Sequence, residues 1–114
     1  MIVADRLLAT FLDLVRISSP SGQEGAVAQA LMDRLRALGL APQRDEAGNV
    51  WAMLDGQGEP LLLTAHMDTV SPGENVRPVV RDGVVYSDGT TVLGADDKSG
   101  VAIILDVLEA LQEA

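Results

Sequence analysis

The chain of 114 residues contains no cysteine and a single histidine, His66. Without thiols it can form neither a disulfide nor a thiolate zinc site, so any metal must be held by imidazole and carboxylate groups. The same absence leans towards a cytoplasmic protein. Basic residues are scarce, with 8 Lys and Arg against 17 Asp and Glu for a net charge of -9. That balance argues against an extended nucleic-acid or anionic-membrane surface and suits a cation site. No apolar run approaches the roughly 20 residues needed to span a bilayer. The amino terminus reaches Asp5 before any long apolar stretch, and Asp13 interrupts the apolar residues after it. This does not fit a signal peptide. The expectation is a soluble, unsecreted protein with a native start and at most one domain.

What is present is an alternation of helix-like and strand-like patterns. From Ala4 to Ile17 the residues Leu7, Leu8, Phe11, Leu14 and Val15 fall at helical spacing, and Pro20 forbids continuation, which predicts an amphipathic helix. Ser21 stands three residues before Glu24, the signature of a capping box. It leads into Val27, Ala30, Leu31, Leu35 and Leu38 with Gly39 as a C′ stop, so a second helix is predicted. After Pro42 come two short extended runs, Asn49 to Leu54 and Leu61 to Ala65, separated by Gly56-Gln57-Gly58. The second run is apolar on both faces, as in a strand buried in a mostly parallel sheet. Asp82-Gly83, between Val79-Val80 and Val84-Val85-Tyr86, predicts a tight hairpin that Asp88-Gly89 ends. Lys98 to Glu113 reads as a third helix, apolar around most of its circumference and therefore central and buried. Met32, Met53 and Met67 read as filler in or near the core, with Met67 pointing away from the site. The fold class expected is α/β: a mixed, mostly parallel sheet packed with helices, the His66 strand near its centre.

Chemistry concentrates in two places. In Gly94-Ala95-Asp96-Asp97-Lys98-Ser99-Gly100, adjacent carboxylates sit on a glycine-flanked turn where extended chain gives way to a helix. The N-H groups and dipole at a helix start keep such carboxylates ionised. Upstream, the run from Leu61 leads into His66-Met67-Asp68. Residues two apart on a strand point to one side, so His66 and Asp68 face the same space at the carboxyl end of the strand, where open α/β sheets place ligands. Asp68 can accept the second N-H of a liganding imidazole and orient it, and Asp96 can return as a hard oxygen ligand. Plainer readings stand beside this one. A strand-end histidine satisfied by a neighbouring aspartate is a common structural outcome, and Asp97 before a helix is most simply an N-cap. Gly94 and Gly100 can serve turn and packing needs alone.

The run LLLTAHMDTVSPGENVRPVVRDGVVYSDGTTVLGADDKSGVAIILDVLEAL, with RISSPSGQEG at residues 16 to 25, resembles the tripeptidase (peptidase T-like) metallopeptidases. These belong to the larger clan that includes carboxypeptidase G, acetylornithine deacetylase and succinyl-diaminopimelate desuccinylase. The form ADDK and the lead-in DGTT resemble the tripeptidase branch more than the deacetylase branch. The resemblance implies that His66 binds one of two zinc ions and that Asp96 bridges both. It gives Asp68 a catalytic part as the carboxylate orienting His66, and it has Asp97 shape the loop. It further implies a cis Asp96-Asp97 peptide and hydrolysis of peptide bonds in short peptides, of tripeptide aminopeptidase type. The alternatives are an amide hydrolase of N-acyl amino acids and a non-catalytic domain that acts by association.

The family also uses a glutamate pair, a further acidic ligand and a second histidine, none of which residues 1 to 114 supply. The chain therefore reads as the amino-terminal part of a zinc-peptidase catalytic domain, without the rest of that domain and without the lid domain. Read so, it is expected to be inactive on its own, to hold zinc weakly and to self-associate through exposed sheet or helix surface. Its expected partners are short peptides, with no nucleic acid and no membrane.

Overall fold

Helix α1, Ala4–Val15, and helix α2, Gly25–Ala37, form where the spacing of apolar residues predicts them. Each turns its apolar stripe inward: Leu14 and Val15 of α1 and Val27, Ala28, Leu31 and Leu35 of α2 are buried. Helix α3, Ala95–Glu113, closes the core with Val101, Ala102 and Leu105. Fully burying one such leucine or valine contributes roughly 1.5 to 3 kcal/mol relative to leaving it in water. This computed structural model describes residues 1–113.

The ends of α2 show how local chemistry sets boundaries. Gly39 takes φ +82°, its N-H donates to Arg36 O at 2.8 Å, and the N-H of Leu40 donates to Leu35 O at 3.1 Å. This is a Schellman stop, available because glycine carries no Cβ to oppose the left-handed turn. At the other end the expected capping box does not form. Glu24 is the N-cap residue, with no side-chain cap bond, and its carboxylate accepts from the Gly22 N-H instead. Ser21 is drawn elsewhere.

Polar ties fix how the helices meet. Arg6 of α1 donates from Nε to Asp106 Oδ1 of α3 at 2.6 Å and pairs with Glu109 and Glu113 on the same face. Arg34 of α2 reaches back to Asp13 at 2.7 Å and to Thr10 at 3.1 Å on α1.

The extended segments pair as two antiparallel ladders. Strands β1, Gln43–Arg44, and β2, Val50–Trp51, pair with each other, as do β3, Pro78–Arg81, and β4, Val84–Ser87. The second is the hairpin expected from Asp82-Gly83, whose positive φ values of 51° and 76° suit a tight primed turn. The run expected from Asn49 to Leu54 pairs over Val50–Trp51 alone.

The mostly parallel sheet is not formed among the described residues. Leu61 to Ala65 joins neither ladder, and Leu61 and Leu62 are each 84 % exposed. A strand exists through its neighbour, and no described segment pairs with this one. The parallel pairing that does occur is one bridge, Pro20 to Thr69. Helix α3 also departs from expectation. It buries Lys98, Val101, Ala102, Leu105 and Asp106 along one side, while Ile103 and Leu111 stand in solvent. Of the methionines, Met67 packs against the core and Met32 is half-buried, but Met53 is exposed. No helix among the described residues is long and apolar enough to cross a membrane.

Candidate metal centre

His66 stands between two aspartates. Its Nδ1 lies 3.0 Å from Asp68 Oδ1 and 2.9 Å from the Asp68 carbonyl oxygen, and its Nε2 lies 3.0 Å from Asp96 Oδ1. Residues 66 and 68 do share a side, and Asp96 does return to them from the start of α3. The Asp96 side chain is 95 % exposed, so the convergence opens to solvent.

A short segment preceding α2 places this group. Ser19 Oγ donates to the Met67 carbonyl at 2.9 Å, and the Thr69 N-H donates to the Ser19 carbonyl at 2.9 Å. Both neighbours of Asp68 are thereby tied to one serine. Ser21 Oγ then donates to Asp68 Oδ2, while Ser18 Oγ accepts from the Asn75 N-H at 3.0 Å. The Asp96 turn is anchored to the same segment, because Lys98 Nζ donates to the Ile17 carbonyl.

Within the turn, the Asp96-Asp97 peptide is cis, as the resemblance implies, and both residues have non-helical φ/ψ. Asp97 Oδ1 accepts from the Gly100 N-H at 3.3 Å, which is the bond an N-cap makes. A Cβ on Gly100 would lie 2.6 Å from Asp97 Oδ1, so glycine there is a condition of the close approach. Gly94, at φ +86°, sets the chain direction into the turn.

The electrostatics arise from these contacts. The Asp96 carboxylate, and then the Asp68 backbone and side chain, raise the His66 pKa above its ordinary value despite some desolvation. The Ser21 hydroxyl, followed by His66, holds Asp68 below the usual carboxylate range. Lys98 is 1 % exposed with no carboxylate partner among the described residues, and burial pushes its pKa down to about 8.

The donor set suits a metal on one side of the imidazole. Asp68 occupies Nδ1, which leaves Nε2 and Asp96 Oδ1 as the outward donors. They lie 3.0 Å apart in a hydrogen bond, so an ion would have to take the place of the proton between them. No group of three or more His, Cys, Asp or Glu side chains able to hold an ion is gathered among the described residues. The arrangement is thus a pair of donors with an oriented imidazole. Beside it a cavity of about 500 Å³ runs from Leu31, Leu35 and Leu105 to His66 and Asp68.

Three contributors are not legible as site residues in the sequence: Ser19, Ser21 and Lys98. The signal available was the density of hydroxyls in Ser18-Ser19-Pro20-Ser21, which the capping pattern masked.

Comparison with known proteins finds peptidases and related hydrolases. The chain resembles a tripeptidase from Staphylococcus aureus subsp. aureus, with a TM-score of 0.93 and 46% identity over 99% of this chain and 33% of that one. It also resembles aminopeptidase PepT from Bacillus cereus, with a TM-score of 0.90 and 33% identity over 98% of this chain and 33% of that one. Among curated sequences it is 40% identical to the uncharacterized protein YqjE of Bacillus subtilis, over 99% of this chain and 33% of the relative. It is 38% identical to a succinyl-diaminopimelate desuccinylase of Corynebacterium glutamicum, over 86% of this chain and 26% of the relative. The chain thus spans a third or less of the length of these relatives. The model of peptidase family M28 matches residues 49–114, more than half the chain and the part holding His66, Asp68 and Asp96, and the chain belongs to that family.

Proposed function

We propose that residues 1 to 114 supply one half of the centre of a zinc-dependent enzyme that hydrolyses peptide bonds in short peptides, in the manner of a tripeptide aminopeptidase. The observation that carries this reading is the placement of His66 between Asp68 and Asp96, with Nδ1 and Nε2 each 3.0 Å from a carboxylate oxygen. Peptidases of this family are generally metal-dependent. We assign His66 and Asp96 as metal ligands, Asp96 being the bridge between two ions, Asp68 as the carboxylate that orients His66, and Asp97 as the residue that shapes the loop. A bound metal would polarise the scissile carbonyl and lower the pKa of its water. The chain's own part is to present Nε2 without its proton, to hold the imidazole plane through Asp68, and to offer Asp96 from a turn fixed by Gly94 and Gly100.

Two donors do not complete a catalytic zinc site, which takes about three from protein. The remaining ligands and the general base would therefore come from residues outside 1 to 114. The cysteine-free composition supports a cytoplasmic setting. The exposed Leu61-Leu62-Leu63 run supports self-association of the chain on its own.

A second reading, amide hydrolysis of N-acylated amino acids, is favoured by the similarity to the desuccinylase. Two chimeras separate the two: residues 1 to 114 replacing the corresponding part of the S. aureus tripeptidase and of the C. glutamicum desuccinylase, each with and without His66→Ala, folding being checked by circular dichroism. We expect metal-dependent turnover of tripeptides by the first that the substitution abolishes. Turnover of N-succinyl or N-acetyl substrates by the second, in place of tripeptides by the first, would establish the second reading. Folded chimeras that bind no metal would refute both and leave a domain that acts by association.

A further inference from the structure

We propose that Ser21 is a positioning residue of this centre: its hydroxyl holds Asp68 Oδ2, which keeps Oδ1 on His66 Nδ1 and leaves Nε2 as the metal-facing nitrogen. The inference rests on the assignment of His66 as a ligand and adds a residue that nothing in the helix-capping pattern would place there.

Three observations carry it. The first is that Asp68 has two side-chain partners among the described residues, His66 on Oδ1 and Ser21 on Oδ2, and no basic residue among them pairs with it. A carboxylate held at one oxygen can swing about its Cβ–Cγ bond, whereas one held at both is locked in the plane that meets the imidazole. The second is that Ser21 is itself fixed relative to Asp68. Ser19 bonds the residues on either side of Asp68, at Met67 O and Thr69 N, and Pro20 bridges Thr69, so the chain arrives at Ser21 with its register already set. The third is that the hydroxyl is not spent on α2. The helix begins at Gly25 with Glu24 as N-cap, and neither residue takes a bond from Ser21. The result is a chain of contacts running Ser21, Asp68, His66, Asp96. Groups that bond a metal's ligand directly, as Asp68 bonds His66, typically change affinity by about 10- to 100-fold when removed, and Ser21, one contact further out, is expected at the low end of that range.

His66 is the only histidine in the chain, so its ring nitrogens give one unambiguous pair of ¹⁵N signals. These would be recorded for the whole chain without metal, at alkaline pH where the imidazole is neutral, in wild type, Ser21→Ala, Ser21→Thr and Ser18→Ala. Ser18 anchors the same segment through Asn75 without touching Asp68 and controls for general loosening. Without metal Nε2 faces Asp96 Oδ1 at 3.0 Å, so both tautomers are populated, and we expect a smaller Nδ1-H fraction in Ser21→Ala than in wild type, recovery in Ser21→Thr, and no change in Ser18→Ala. An unchanged Nδ1-H fraction in a folded Ser21→Ala chain would overturn the proposal. So would an equal shift in Ser18→Ala, which would assign the effect to the segment as a whole. If Ser21→Ala does not fold, Ser21→Val against Ser21→Thr, equal in shape and differing in the hydroxyl, decides on the same readout. A zinc titration of the same samples and of His66→Ala keeps the two ideas apart. Zinc binding by the wild type that His66→Ala leaves unchanged refutes the ligand assignment and leaves the tautomer result standing, whereas zinc affinity about tenfold lower in Ser21→Ala than in Ser21→Thr supports both.

Discussion

At the level of single residues, the site rests on positions where one group leaves room for or holds another. Gly100 is the sharpest case of room. A Cβ there would sit 2.6 Å and 2.7 Å from the two Asp97 carboxylate oxygens, so Gly100→Ala must displace the Asp97 carboxylate that caps the helix at the Gly100 N-H. We expect a loss of about 1 to 3 kcal/mol, the usual cost of forcing atoms into filled space, measured by urea unfolding. Lys98 is the sharpest case of holding. Its ammonium is buried against the Ile17 carbonyl, and burial lowers its pKa from 10.5 to about 8. Between those values the unfolded chain binds more protons than the folded one, so stability contributed through Lys98 rises as pH rises from about 8 towards 10.5. Melting temperatures of wild type and Lys98→Met across that window should diverge, with the wild type gaining. Parallel curves would mean that Lys98 is solvated in the folded state. His66 runs the other way: its raised pKa contributes stability below the ordinary value near 6.5, and this is lost as pH climbs. The convergence of His66, Asp68 and Asp96 was legible in the sequence because a two-residue spacing fixes sidedness and a hairpin returns the chain. The partnership of Ser21 with Asp68 was not, because Ser-x-x-Glu is an equally good capping pattern and only the tertiary fold decides between a backbone N-H three residues on and a carboxylate 47 residues away.

Among the elements, the helices were legible and the central strand was not, for a physical reason. A helix closes its own hydrogen bonds, so spacing, Pro20 and Gly39 suffice to draw α1 and α2. A strand does not, and Leu61 to Ala65 carries the right residues without a described neighbour to pair with. The hairpin β3–β4 was legible because its turn residues and its partner are adjacent in sequence. What the pattern could not reveal is the tie between α1 and α3. Asp106 is 2 % exposed at its side chain, with Oδ1 on Arg6 and Oδ2 unpaired among the described residues. Removing Arg6 would strand a buried carboxylate. Arg6→Met should therefore destabilise the chain, whereas Asp106→Leu combined with Arg6→Met should cost much less. Chemical denaturation of the single and double variants checks this, and equal losses would show that the pair is effectively solvated.

On the scale of the whole molecule, the chain folds around a three-helix core yet leaves one side apolar and open. Trp51, Leu62 and Leu63 are exposed and line a cavity of about 500 Å³ together with core leucines, and Met53 and Leu61, beside them in sequence, are exposed as well. An unpaired apolar segment beside such a cavity is a template for another chain. Light scattering over a wide concentration range should give a dimer or larger species, and a monomer throughout would mean that this face is satisfied within one chain. The proposed function, however, turns on His66 and Asp96. Zinc binding to the 114-residue chain, measured by calorimetry beside His66→Ala and Asp96→Asn, tests their assignment most directly. We expect weak binding in the wild type, about one ion per chain, and none in either variant, because each removes one of the two donors a partial site can offer. Binding of equal strength in all three chains would contradict it.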